Sequence, residues 1–115
     1  RDGQGQGANA MHFMRFELIT SMERNAAISL IRDAISKASG WIVNHALFSN
    51  AAATINFEMP SDCVARFRDL VEQAGLNLRL QDERQRGPGD DTRGSVAMTF
   101  LHQEQELKRE VPPFG

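Results

Sequence analysis

Cysteine is nearly missing from this chain: Cys63 stands alone among 115 residues, so no disulfide can form within it. Long hydrophobic runs are missing too, and nothing approaches the roughly 18 consecutive apolar residues of a membrane span. An excess of one charge sign is also lacking, with a formal net charge of −2. The balance holds locally. Met11 to Gln81 carries seven basic and seven acidic residues, Asp82 to Arg93 three and four, and the stretch from His102 onward two and three. Binding of nucleic acid without regard to sequence rests on clustered Lys and Arg that neutralise phosphates. No nucleic-acid partner and no membrane partner are therefore expected.

What is present is the make-up of a globular domain, with 41% hydrophobic and 24% charged residues. A chain of this length can bury a conventional core without metal or disulfide staples. One domain is expected over residues 11–101. Residues 1–10, with Gly3, Gly5 and Gly7 and no large apolar side chain, are expected to be a flexible leader, and 102–115, ending Val111-Pro112-Pro113-Phe114, a C-terminal tail. A single thiol and no signal-like segment make the cytoplasm the expected compartment.

Apolar spacing sets the order of elements. His12 to Ile19 alternates, Met14, Phe16 and Leu18 against Arg15 and Glu17, as a half-buried strand does. Thr20 and Glu23 have the spacing of a capping box, and Ala26, Ala27, Leu30, Ile31, Ala34, Ile35 and Ala38 follow at helical spacing up to Gly40. Trp41 to Phe48 and Ala52 to Glu58 read as a hairpin turned at Ser49-Asn50. A second helix opens near Pro60-Ser61-Asp62, buries Val64, Phe67, Leu70, Val71 and Ala74, and ends at Gly75. Leu76, Leu78 and Leu80 then alternate as a fourth strand. Asp82 to Gly94 reads as a polar loop around Gly87-Pro88-Gly89, and Val96, Met98 and Phe100 mark a fifth strand that closes a second hairpin.

Two strand-helix-strand units joined by right-handed crossovers place both helices on one side of an antiparallel sheet. The expected strand order is 4-1-3-2, with the fifth strand outside the fourth. The other face then carries Arg15, Glu17, Thr54, Asn56, Glu58, Asn77, Arg79 and Thr99. For the second strand the face is ambiguous, because Trp41, Val43, His45 and Leu47 compete with Ile42, Asn44, Ala46 and Phe48 for the core.

Chemistry-bearing residues are scattered. His12 and His102 fall at opposite ends of the expected sheet and His45 lies apart from both, so no metal site is expected. Cys63 falls in the first turn of the second helix, where a helix N-terminus can lower a thiol pKa, but no histidine base lies near it in the expected topology. The favoured reading is an ordinary small apolar residue. No P-loop lysine follows Gly87-Pro88-Gly89. Arg84, Arg86 and Arg93 could bind an anion, yet Asp82, Glu83, Asp90 and Asp91 sit among them and are expected to cancel the field. Glu17 and Glu58 have arginine neighbours that would keep both ionised, which argues against acid-base work.

From Phe13 to Leu80 the order of strands, helices and turns resembles the ferredoxin-like superfold, which includes ACT modules, RNA-recognition modules, acylphosphatase-like enzymes and dimeric α+β barrel proteins. RNA-recognition modules place aromatics where this chain has Thr54, Asn56 and Glu58, and acylphosphatase-like enzymes have a glycine-rich loop where it has Thr20-Ser21-Met22-Glu23. The paired cysteines of heavy-metal modules are absent. ACT modules show a glycine in that same first loop, so the resemblance implies their architecture more than their ligand sensing. The expectation is a non-enzymatic ACT-like regulatory or interaction module without a cofactor. It would form a homodimer through Trp41, Val43, His45 and Phe48 on an edge strand. The alternative is an enzyme or small-ligand carrier of the dimeric α+β barrel type, with a polar cavity between facing sheets lined by Arg15, Glu17, Asn56, Glu58 and Arg79. Both leave room for a small-molecule or protein partner.

Overall fold

A computed structural model describes residues 11–86 and 90–101. The expected leader, the expected tail with His102, and the Gly87-Pro88-Gly89 turn lie outside them. Strand β1 (Met11–Thr20), helix α1 (Arg24–Lys37), strands β2 (Trp41–Ser49) and β3 (Ala52–Pro60), a 3-10 turn (Ser61–Cys63), helix α2 (Val64–Gln73), and strands β4 (Arg79–Arg86) and β5 (Asp91–Phe100) follow in order. The protein is α+β, with two helices and one five-stranded mixed sheet.

Both helices cover one face of that sheet. Met14, Phe16 and Leu18 of β1, Ala53, Ile55, Phe57 and Met59 of β3, and Val96, Met98 and Phe100 of β5 form one buried cluster with Ala27, Ile31, Ala34 and Ile35 of α1 and Val64, Phe67 and Val71 of α2. Every second strand residue faces the helices, so one phase of the alternation makes the core and the other makes an open face.

The order in the sheet is β2-β3-β5-β1-β4. This corrects the expected 4-1-3-2 order with an outer fifth strand, and with it the antiparallel sheet, because β5 inserts between β3 and β1 and runs parallel to β1. The likeness to the ferredoxin-like superfold stops at that insertion. No second hairpin forms either: Arg86 and Asp91 both register with Met11, so β4 and β5 flank β1. The physical reason is burial. On β5, Thr92, Val96, Met98 and Phe100 are all buried, whereas the β4 residues Arg79 to Gln85 are exposed throughout. A strand with one wholly buried, mostly apolar face gains most from a central place, and an exposed, mostly charged strand belongs at an edge.

The charged stretch read as a loop is mostly strand, since β4 extends to Arg86 and β5 begins at Asp91. Leu76 and Leu78 are buried ahead of β4, and a bulge opposite Arg15/Phe16 leaves Gln81 without a partner in the register. Asn77 falls in the same pre-strand segment and is not part of the open face.

Helix ends follow local hydrogen bonding. The N-cap of α1 is Glu23, whose carboxylate accepts from the Ala26 amide (3.1 Å); Thr20 Oγ1 accepts from Met22 instead (3.0 Å), so the capping box does not form. At the other end, Ser39 donates to Ser36 (3.1 Å) and Gly40 to Ile35 (2.8 Å), the paired bonds of a Schellman turn. The left-handed position is Ser39 (φ 64°), not Gly40. Gly40 is required for another reason: a Cβ there would stand 2.8 Å from the Glu58 carbonyl oxygen. Helix α2 repeats the turn with Gly75 left-handed (φ 92°) and Leu76 donating to Val71 (3.2 Å). Replacing Ser39 by Gly is accordingly expected to stabilise the fold by about 0.5–1 kcal/mol, the left-handed strain relieved less the freedom added to the unfolded chain. A higher denaturant midpoint at unchanged slope would bear this out, and a lower one would contradict it.

Candidate functional site

Pleating sorts the open face into rows that cross all five strands. Trp41, Glu58, Arg93, Phe13 and Arg84 form the first row, and Asn44, Asn56, Ser95, Arg15 and Asp82 the second. The third runs Ala46, Thr54, Ala97, Glu17 and Arg79. Charge concentrates at the β5-β1-β4 end. There a groove of about 480 Å³ opens, lined by Phe13, Arg15, Asn56, Asp82, Arg84, Arg93 and Ser95.

The ion pairs on this face are local. Arg93 donates through Nε to Glu58 Oε2 (2.8 Å) and through Nη2 to the same oxygen. Arg84 Nε lies 3.4 Å from Asp82 Oδ2, and Gln81 donates to Glu17 Oε1 (3.2 Å). Asn56 donates to the Asn44 amide oxygen (2.7 Å), tying β3 to β2. Arg15, mid-sheet and exposed, forms no ion pair among the described residues.

Arg15, Glu17, Asn56, Glu58 and Arg79, the expected cavity set, all lie on the open face but do not converge. Arg15 and Asn56 line the groove, Glu58 is held by Arg93 beside it, and Glu17 faces Arg79 in the next row. The reading from sequence missed Phe13, Asp82, Arg84, Arg93 and Ser95 as groove residues. A usable signal was there: the alternation of Val96, Met98 and Phe100 continues backward through Gly94 and Thr92, which turns Arg93 and Ser95 outward.

The second candidate locus is the β2 edge. Its register with β3 slips between Ile42 and Asn44 and again between Leu47 and Ser49, leaving Val43 and Phe48 as bulge residues. The first slip resolves the two-faced pattern. Ile42, His45 and Leu47 face the helix side opposite Phe57, Ile55 and Ala53, while Trp41, Asn44 and Ala46 face the open side opposite Glu58, Asn56 and Thr54. Trp41, Val43, His45 and Phe48 thus wrap around an edge and do not share a face. Trp41 is 51% exposed, Val43 45%, Leu47 53% and Phe48 69%. Leu47 is the member that sequence reading left out.

The remaining chemical candidates stay apart. His12 Nε2 lies 2.6 Å from Glu83 Oε2 on the helix side, and His45 lines a smaller groove with Arg24 and Ile28. Ser61 Oγ meets the fully buried Thr92 hydroxyl (2.8 Å), a bond that joins the 3-10 turn ahead of α2 to the sheet. Cys63 ends the 3-10 turn, half-buried against the core. Partial burial pushes its thiol pKa up, and so do the hydrogen bond to Asp62 Oδ1 (3.6 Å) and that carboxylate's charge, over the opposing pull of Arg66. No cluster of His, Cys, Asp or Glu able to hold a metal ion occurs among the described residues, and no helix there is long and apolar enough to cross a membrane.

Comparison with protein-family profiles, with characterised proteins and with solved structures finds no match to this chain. What its fold and sites define is a two-layer α+β protein with a grooved open sheet face and an apolar sheet edge.

Proposed function

We propose that the protein is a non-enzymatic regulatory or interaction module of the cytoplasm that forms a homodimer through the β2 edge. One observation supports this above the others: the two edges of the sheet differ in kind. On β4 the edge strand reads Arg-Leu-Gln-Asp-Glu-Arg-Gln-Arg, the charged pattern that keeps strands from pairing, and Arg79 to Gln85 are exposed. On β2, Trp41, Val43, Leu47 and Phe48 are each about half or more exposed. Such a run of large side chains reads as a contact surface. The bulges at Val43 and Phe48 disfavour simple strand addition, so the contact rests on side-chain packing around the edge.

Sedimentation at tens of micromolar is expected to show a dimer, with emission from Trp41, the only tryptophan, shifting to shorter wavelength as the dimer forms. Trp41→Lys combined with Phe48→Lys is expected to give a folded monomer, the two exposed changes themselves costing no more than about 0.5 kcal/mol each beyond the stabilisation lost with the dimer. A wild-type chain that sediments as a monomer across that range would remove the reading.

A further inference from the structure

We propose that the open face carries a binding site for a small organic anion bearing a carboxylate or a phosphate, seated between Arg15, Arg84 and Arg93. In sequence these arginines stand among acidic residues that would cancel them; on the sheet the pleat turns Glu83 away, and the carboxylates left on the open face are taken up or set apart. Glu83 points to the helix side, where His12 Nε2 holds it at 2.6 Å. Asp91, two residues before Arg93 and on the same face, lies opposite Pro60 and Met11 at the strand's start, one row away, and does not line the groove. Three guanidinium groups remain at the groove against two carboxylates, Glu58 on Arg93 and Asp82 on Arg84. The excess positive charge is that of Arg15.

Arg15 is placed to use it. Ser95 stands beside it on β5 and Asp82 on β4, yet Asp82 is turned to Arg84 and Arg15 makes no ion pair among the described residues. A guanidinium with free donors beside a serine hydroxyl suits the paired oxygens of a carboxylate or phosphate. The half-buried ring of Phe13, between Arg93 and Arg84 in the next row, gives an apolar wall for the body of such a ligand. A groove of about 480 Å³ is in the range of small-molecule sites. One chain supplies the whole site, so the inference does not depend on association at β2.

Titration with citrate and, separately, inorganic phosphate, followed by backbone amide shifts in proton–nitrogen correlation spectra, tests it. Saturable shifts are expected at Phe13, Arg15 and Ser95, beyond those from sodium chloride at matched ionic strength. Stronger binding of citrate would assign the site to carboxylates, and stronger binding of phosphate to phosphate esters. Arg15→Gln, an exposed change that leaves the core untouched, is expected to weaken the binding about tenfold or more, the loss of one charge-assisted contact. No saturable response to either probe, shifts centred away from the groove, or equal binding by the Gln variant would overturn the proposal.

Discussion

Phe67→Ala is expected to lower the unfolding free energy by about 3–5 kcal/mol, the usual cost of truncating a fully buried phenylalanine. Phe67 has no exposed surface and sits where three elements meet. Its ring packs edge-on against Phe16 of β1 (6.1 Å between centroids) and tilted against Phe57 of β3 (5.0 Å). Those two strands are not neighbours, because β5 lies between them. One helix side chain thus ties together strands that the sheet's own hydrogen bonds connect only through a third. Total stabilities of single domains are about 5–15 kcal/mol, so the variant is expected to be close to its folding threshold. Urea denaturation followed by circular dichroism measures the change, and a loss below about 1 kcal/mol would contradict this account of the core.

The second large effect is expected at Gly94. A Cβ added there would stand 2.4 Å from Phe57 Cζ and 2.9 Å from both Cε atoms, because the ring lies flat over the β5 backbone. Valine cannot be accommodated without expelling that ring, which would also break its contact with Phe67. Overpacking of this kind costs about 1–3 kcal/mol, and the lost aromatic contact adds to it. The Gly-Phe apposition also makes a coupling prediction. Gly94→Ala should cost much less in a Phe57→Leu background than in the wild type, with a coupling above about 0.5 kcal/mol in a double-mutant cycle. Additive losses would mean that the ring does not depend on the missing side chain.

Gly94 also shows where reading from sequence fell short. Taken alone it looked like the end of a glycine- and charge-rich loop, and Asp82 to Arg93 seemed to confirm that. On the sheet Asp82, Arg84, Asp91 and Arg93 take outward positions of two strands: β4, which has no inward apolar partners after Leu80, and β5, whose inward residues begin with Thr92 and Gly94. Gly and Thr give weak apolar signals, so the alternation became visible only at Val96. With the strands went the site, since Arg84 and Arg93 could not be placed beside Arg15 while they were thought to lie in a loop. For β2 the obstacle differed. Its pattern was apolar on both faces because two bulges reset its phase, and a bulge leaves no mark in a count of period two.

The sharing of one face by both helices followed from right-handed crossovers, and most element types, the helix stops near Gly40 and Gly75, and the polar open face of β1 and β3 were written in the chain's periodicity. Each of the latter depends on contacts between residues a few positions apart or on the alternation within one strand. The seat of β5 beside β1, the shift of phase along β2, and the meeting of Arg15, Arg84 and Arg93 came only from the assembled sheet. Strand order follows from competition among all strands for the buried centre, which no local window of sequence contains. The apolar-backed β5 took that place, and the charged β4 was left at the rim.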